Sequence, residues 1–234
     1  MTRRPPLSAR LTPVPLAALL AGSLWLGGCA SQDVRVEENE PAAAYTRLGL
    51  AYLERNNLPR AMAALDRALE HAPSDPEALQ AMAVVYQHQG EAELADQAFR
   101  RALDADPDFT RARNNYAAFL YDQGRIGAAC EQLEHATRDP QYARRAQLFA
   151  NLGRCRQAQG EFAAARRSLE RAQSLDPRYA ESHLRLAELE LAQGNPARAR
   201  QQLERYVRLA GDTAEARALA RDIAAAQGDT RRAP

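Results

Sequence analysis

The chain has 234 residues, of which 46% are hydrophobic, 26% charged and 6% aromatic, and its formal net charge is +1. This length allows one or two domains with a sizeable core, and the near-neutral charge leaves no footprint for a nucleic acid. Abundant alanine with few aromatics favours helices over strands, because strands take β-branched and aromatic side chains. All 31 basic residues are arginine, a compositional bias rather than a functional signal.

The amino terminus begins with Arg3, Arg4 and Arg10, followed by an apolar run from Leu16 to Leu26. That order reads as a signal peptide over residues 1–28, and the run is too short to span a bilayer. Pro13 and Pro15 sit badly in the alternative, a buried core helix. The run closes on Leu26-Gly27-Gly28-Cys29, which resembles the bacterial lipobox, in which the final cysteine accepts a lipid. The resemblance implies a mature chain starting at a lipidated Cys29; ordinary signal cleavage near Ala30 is the alternative. Several acyl chains would make attachment effectively permanent, each buried CH₂ contributing about 0.8 kcal/mol. Residue 30 is Ala. In Gram-negative lipoproteins an Asp there tends to mark inner-membrane retention, so the resemblance implies the periplasmic face of the outer membrane. Residues 29–41 beyond the cysteine are polar and acidic without period, and read as a flexible tether.

The rest of the chain is self-similar. A small residue recurs at Gly49, Ala83, Ala117, Gly153 and Ala187. A second signature keeps step at Ala61/Leu65, Ala95/Phe99, Ala129/Leu133, Ala165/Leu169 and Ala199/Leu203, and a third at Ala68, Ala102, Ala136 and Ala172. Turn residues Asn56, Gly90, Gly124, Gly160 and Gly194 divide each unit, and Pro73, Pro107, Pro140 and Pro177 close four of them. These residues carry the tetratricopeptide-repeat (TPR) pattern. It implies an all-α, right-handed superhelix of five helix pairs over 42–75, 76–109, 110–145, 146–179 and 180–213, with a capping helix at 213–227 and a disordered tail at 228–234. The physics agrees: each half-unit has one apolar stripe, and no pair can bury its stripe alone.

The pattern also assigns faces. The first helix of each pair (helix A) lines the concave surface, where Leu50, Leu53, Val84, Ala118 and Tyr121 fall at places the packing stripe does not require. An apolar lining there suits a peptide or amphipathic segment, the alternative being packing against the neighbouring A helix. Asn115 and Asn151 resemble the asparagine rungs by which other TPR proteins hold a ligand's main chain, since one amide both donates and accepts. Arg47, Arg111, Arg154 and Arg185 lie near the same face. They suit a carboxylate or simply solvated charge.

Cys130 and Cys155 fall on consecutive antiparallel helices at similar heights. With the oxidising compartment implied by Cys29 they are expected to form a disulfide, two buried thiols being the alternative. No catalytic constellation stands out. The four histidines lie on different repeats, and there is no Gly-rich phosphate loop or Gly-x-Ser-x-Gly. No enzyme activity, metal, cofactor beyond the lipid, or small-molecule substrate is expected.

Three segments exceed the generic repeat: "NNYAAFLYDQGR" (114–125), "AACEQLEHATRDPQY" (128–142) and "NLGRC" (151–155). With Asn114 beside Asn115, the two cysteines and the Asp-Pro loop, they resemble the type IV pilus biogenesis and stability family (PilF/PilW). The resemblance implies an outer-membrane pilotin that binds the pilus secretin subunit and promotes its localisation and multimerisation. The groove residues would be Leu50, Leu53, Val84, Asn114, Asn115, Ala118, Tyr121 and Asn151. A general envelope or peptidoglycan-assembly scaffold is the rival. Members of the family often complete a sixth repeat, where this chain offers one helix.

Overall fold

The computed structural model describes residues 40–230, with side chains to Gly228. The signal peptide, Cys29, the tether up to residue 39 and the last four residues lie outside the described residues. Eleven helices are described: α1 (Glu40–Glu54), α2 (Leu58–His71), α3 (Pro76–Gln89), α4 (Ala92–Ala105), α5 (Thr110–Asp122), α6 (Ile126–Ala136), α7 (Arg145–Ala158), α8 (Phe162–Leu175), α9 (Ala180–Ala192), α10 (Pro196–Ala210) and α11 (Ala214–Thr230). No strand occurs among the described residues. Odd-numbered helices up to α9 are the A helices, even-numbered ones the B helices, and α11 caps the stack.

Local chemistry sets the boundaries. Asp75 caps α3 by accepting from the Glu77 N–H at 3.2 Å, and Pro76 fills the first turn, where no N–H is needed. Each A–B turn requires a left-handed residue. Gly90, Gly124, Gly160 and Gly194 supply φ between 73° and 80°, and Asn56 takes the same place with φ 54°.

Packing follows the repeat signatures. Ala61, Ala95, Ala129, Ala165 and Ala199 are fully buried, and so are Leu65, Phe99 and Leu169. The small residue of each A helix lies where its own B helix crosses. A Cβ on Gly49 would sit 2.6 Å from Leu65 Cγ, and one on Gly153 would sit 2.6 Å from Leu169 Cγ. Close backbone approach is thus the reason for glycine at these two places.

Two ends differ from expectation. Helix α1 begins at Glu40, inside the stretch expected as tether to residue 41. Helix α11 runs to Thr230 rather than stopping at 227, so 228–230 are helical where a disordered tail was expected. Gly228 is not among the left-handed glycines, so nothing there reverses the chain. At the start of α11, Thr213 Oγ1 accepts from the Ala216 N–H and meets the Tyr206 hydroxyl, both at 3.2 Å.

Helix α6 is short, at 11 residues. The Asp139-Pro140 loop that follows is pinned to the start of α5. Thr110 Oγ1 donates to Asp139 Oδ2 at 2.6 Å, and the Gln141 N–H donates to Asp139 Oδ1 at 2.8 Å. These bonds hold the Asp139 carboxyl below the usual carboxylate range, the one from Thr110 contributing most.

Candidate functional site

The residues singled out on the A-helix face fall into two groups. Leu50 and Leu53 on α1 are half-buried, packed against a core that includes Ala78, Ala81, Met82 and Val85 of α3. They therefore serve inter-repeat packing while keeping part of their surface exposed. Val84 and Tyr121 are likewise half-buried, against the core of repeats two to four. Ala118 is exposed.

The second group converges at repeats three and four. Ala117, Ala118, Tyr121, Leu133, Asn151 and Arg154 line a notch of about 40 Å³. That is room for about one water or one small side-chain head, far below a drug-sized ligand cavity. Three of the expected groove residues (Ala118, Tyr121 and Asn151) meet here, whereas Leu50, Leu53 and Val84 lie on earlier repeats. Arg154 was visible in sequence only as one arginine among several near this face. The structure lays its guanidinium over the Tyr121 ring, 4.1 Å from the centroid.

The asparagines divide in role. Asn114 is buried, and its Oδ1 accepts from Asn151 Nδ2 at 2.9 Å. This bond orients the Asn151 amide and leaves its Oδ1 and second N–H available. Asn115 is half-exposed on α5.

Two of the four arginines named on the A-helix face are paired internally. Arg111 pairs with Glu77 on the preceding A helix. Arg185 pairs with Glu181 and with Glu188, the latter at 2.9 Å. Burial works against the Arg185 charge, but these two carboxylates outweigh it and raise its affinity for the proton.

Behind the groove, the residue following each helix-B alanine faces the next repeat. Cys130, after Ala129, is disulfide-bonded to Cys155 with Cα atoms 5.6 Å apart. Arg166, after Ala165, pairs with Glu190, whose carboxylate is only 3% exposed. Asp96, after Ala95, accepts from the Tyr116 hydroxyl at 2.8 Å and pairs with Arg125 at 2.6 Å and Arg100 at 2.8 Å. Burial pushes the Asp96 carboxyl up, but these donors and charges win and hold it below its ordinary range. Glu190 stands at the place that Tyr52, Tyr86, Leu120 and Arg156 occupy in the earlier repeats, so the repeat pattern alone did not mark it.

Comparison with known proteins fits this geometry. The tetratricopeptide-repeat profile matches residues 42–85, 76–109 and 156–233. The type IV pilus assembly protein PilF of Pseudomonas aeruginosa is 36% identical over 174 residues, 74% of this chain and 69% of that protein. The chain belongs to the PilF/PilW family. Two solved structures agree. That of P. aeruginosa PilF superposes with a TM-score of 0.75 at 34% identity, covering 83% of this chain and 87% of that one. That of PilW, a widely conserved type IV pilus biogenesis factor, has a TM-score of 0.76 at 26% identity, covering 82% and 88%. As a PilF/PilW member the chain is a TPR scaffold of the type IV pilus system. No helix among the described residues is long and apolar enough to cross a membrane.

Proposed function

We propose that this protein is an outer-membrane pilotin. A lipid on Cys29 anchors it to the periplasmic face, the A-helix groove grips a segment of the pilus secretin subunit, and the pairing promotes secretin localisation and ring assembly. The observation that carries the reading is the 36% identity to a pilus assembly protein over most of the fold. The notch at Ala118, Tyr121 and Asn151 supports it, because apolar walls and an amide oriented by Asn114 suit an extended segment.

The mechanism is one of effective concentration. Residues 30–39, fully extended, would give the repeats a reach of about 35 Å from the anchor. Holding one secretin segment per scaffold within that radius makes the next subunit contact nearly intramolecular. In this reading binding, not chemistry, is the whole activity, with no enzyme step, metal or small-molecule substrate.

Purified scaffold with and without Ala118→Trp tests the groove, since residue 118 is exposed and a bulky side chain there covers the notch. Capture of secretin from detergent-solubilised envelopes should fall at least about tenfold, the equivalent of one good contact cluster. Undiminished capture overturns the groove assignment. Mass spectrometry of the membrane-derived protein tests the anchor, and an unmodified mature start without an acyl group on Cys29 overturns it.

A further inference from the structure

We propose that the notch between α5 and α7 takes the carboxylate of an aspartate or glutamate side chain from an extended peptide running along the groove, with Arg154 as its receptor. This names the ligand chemistry of the site and rests on the groove reading above.

Three arginines on the A-helix face beyond repeat one can be compared. Arg111 has Glu77, and Arg185 has Glu181 and Glu188. Arg154, between them in sequence, has no carboxylate within ion-pair distance among the described residues; its contact is the Tyr121 ring. The stack occupies one face of the guanidinium and limits its swing. The N–H donors lie in the plane of the group, so the edges stay open for a planar, two-oxygen acceptor. The space beside it, about 40 Å³, has an apolar floor of Ala117, Ala118 and Leu133. A carboxylate head fits that volume.

The site sits mid-stack, not at an end. Half-buried Leu50, Leu53 and Val84 continue the face on one side and α9 continues it on the other. A peptide entering the notch therefore passes through, which favours a side chain over a terminal carboxylate. Asn151, oriented by Asn114, lines the notch with an amide that suits the main chain of such a peptide, and half-exposed Asn115 lies one turn before Ala118 on α5.

The probe is a library of octapeptides, acetylated and amidated so that no terminal charge remains, selected on the folded disulfide-bonded protein. The expected result is enrichment of one Asp or Glu flanked by small apolar residues. Selected peptides should bind Arg154→Gln at least about tenfold more weakly, as for loss of a charged hydrogen-bonded pair, while Arg154→Lys keeps part of the affinity. Tyr121→Leu should weaken them too, by freeing the guanidinium. Thermal melts of each variant check that the fold is retained. Peptides without a fixed acid, equal binding to Arg154→Gln, or binding that requires an uncapped C-terminus each overturn the proposal. Secretin capture separates the two readings. Capture lost in Ala118→Trp but intact in Arg154→Gln keeps the groove and rejects the carboxylate site. The library result without secretin capture does the reverse.

Discussion

The junction between repeats three and four and the junction between repeats four and five meet the same need with different chemistry. Cys130 and Arg166 occupy equivalent places, each following the helix-B alanine that crosses its own A helix. From there one forms a disulfide to Cys155 and the other an ion pair to buried Glu190. The disulfide stabilises chiefly by restricting the unfolded chain, and it desolvates no charge. The ion pair carries a desolvation cost and gives little net stability, but it penalises any register that leaves Glu190 alone. The repeat pattern leaves this place open because the residue faces the next repeat rather than its own partner helix. At the last junction the equivalent residue is Arg200, after Ala199, which borders a cleft of about 410 Å³ with Leu203, Glu204, Val207, Ala220 and Ile223.

Breaking one half of the ion pair should have the largest effect. Arg166→Ala strands a carboxylate that is 3% exposed, which should cost about 3–5 kcal/mol in urea unfolding. The double change Arg166→Met with Glu190→Met should recover most of that loss. A single change that costs nothing would mean the pair is not desolvated.

Removing the disulfide comes next. Cys130→Ala with Cys155→Ala opens a loop spanning a separation of 25 residues and should cost about 3.5 kcal/mol. Amide hydrogen exchange should rise first in α6 and α7. A uniform rise along the chain would show that the bond acts on the whole stack.

A change inside repeat four sharpens the contrast, because it loosens the pair and not either junction. Gly153→Ala puts a methyl 2.6 Å from Leu169 Cγ and should cost about 1–3 kcal/mol by calorimetry. The same change at Gly127, where a Cβ meets nothing within 4 Å, should be near neutral or slightly stabilising.

The smallest effect concerns the Asp96 junction between repeats two and three. The folded carboxyl sits below its ordinary value of 3.8, so its contribution is complete above that pH and is lost as pH falls through the lower folded value. Asp96→Asn should therefore flatten the acid limb of stability against pH and change little at neutrality. An unchanged acid limb would show that the Tyr116 and Arg125 contacts do not hold in solution.

The legible part of this fold was the part the repeat geometry constrains. Gly49, Ala61 and Leu65 must be small or apolar because two helices cross there, so they recur in sequence and the pairs could be placed from them. The Asn114–Asn151 bond, the Arg166–Glu190 pair and the Arg154–Tyr121 stack were not legible. Each joins residues on neighbouring repeats whose types the pattern leaves free, and only the stacking angle decides which side chains meet. The end of α11 was misplaced for a related reason. Gly228 reads as a stop, yet a terminal glycine halts a helix only where the chain turns into a left-handed conformation.

The central claim is that the A-helix face of repeats three and four is the binding surface. Hydrogen exchange of the full chain with and without purified secretin tests it most directly. The account predicts slowed exchange in α5 and α7 with α6 and α8 unchanged. Protection confined to the B helices, or to α10 and α11, would contradict it.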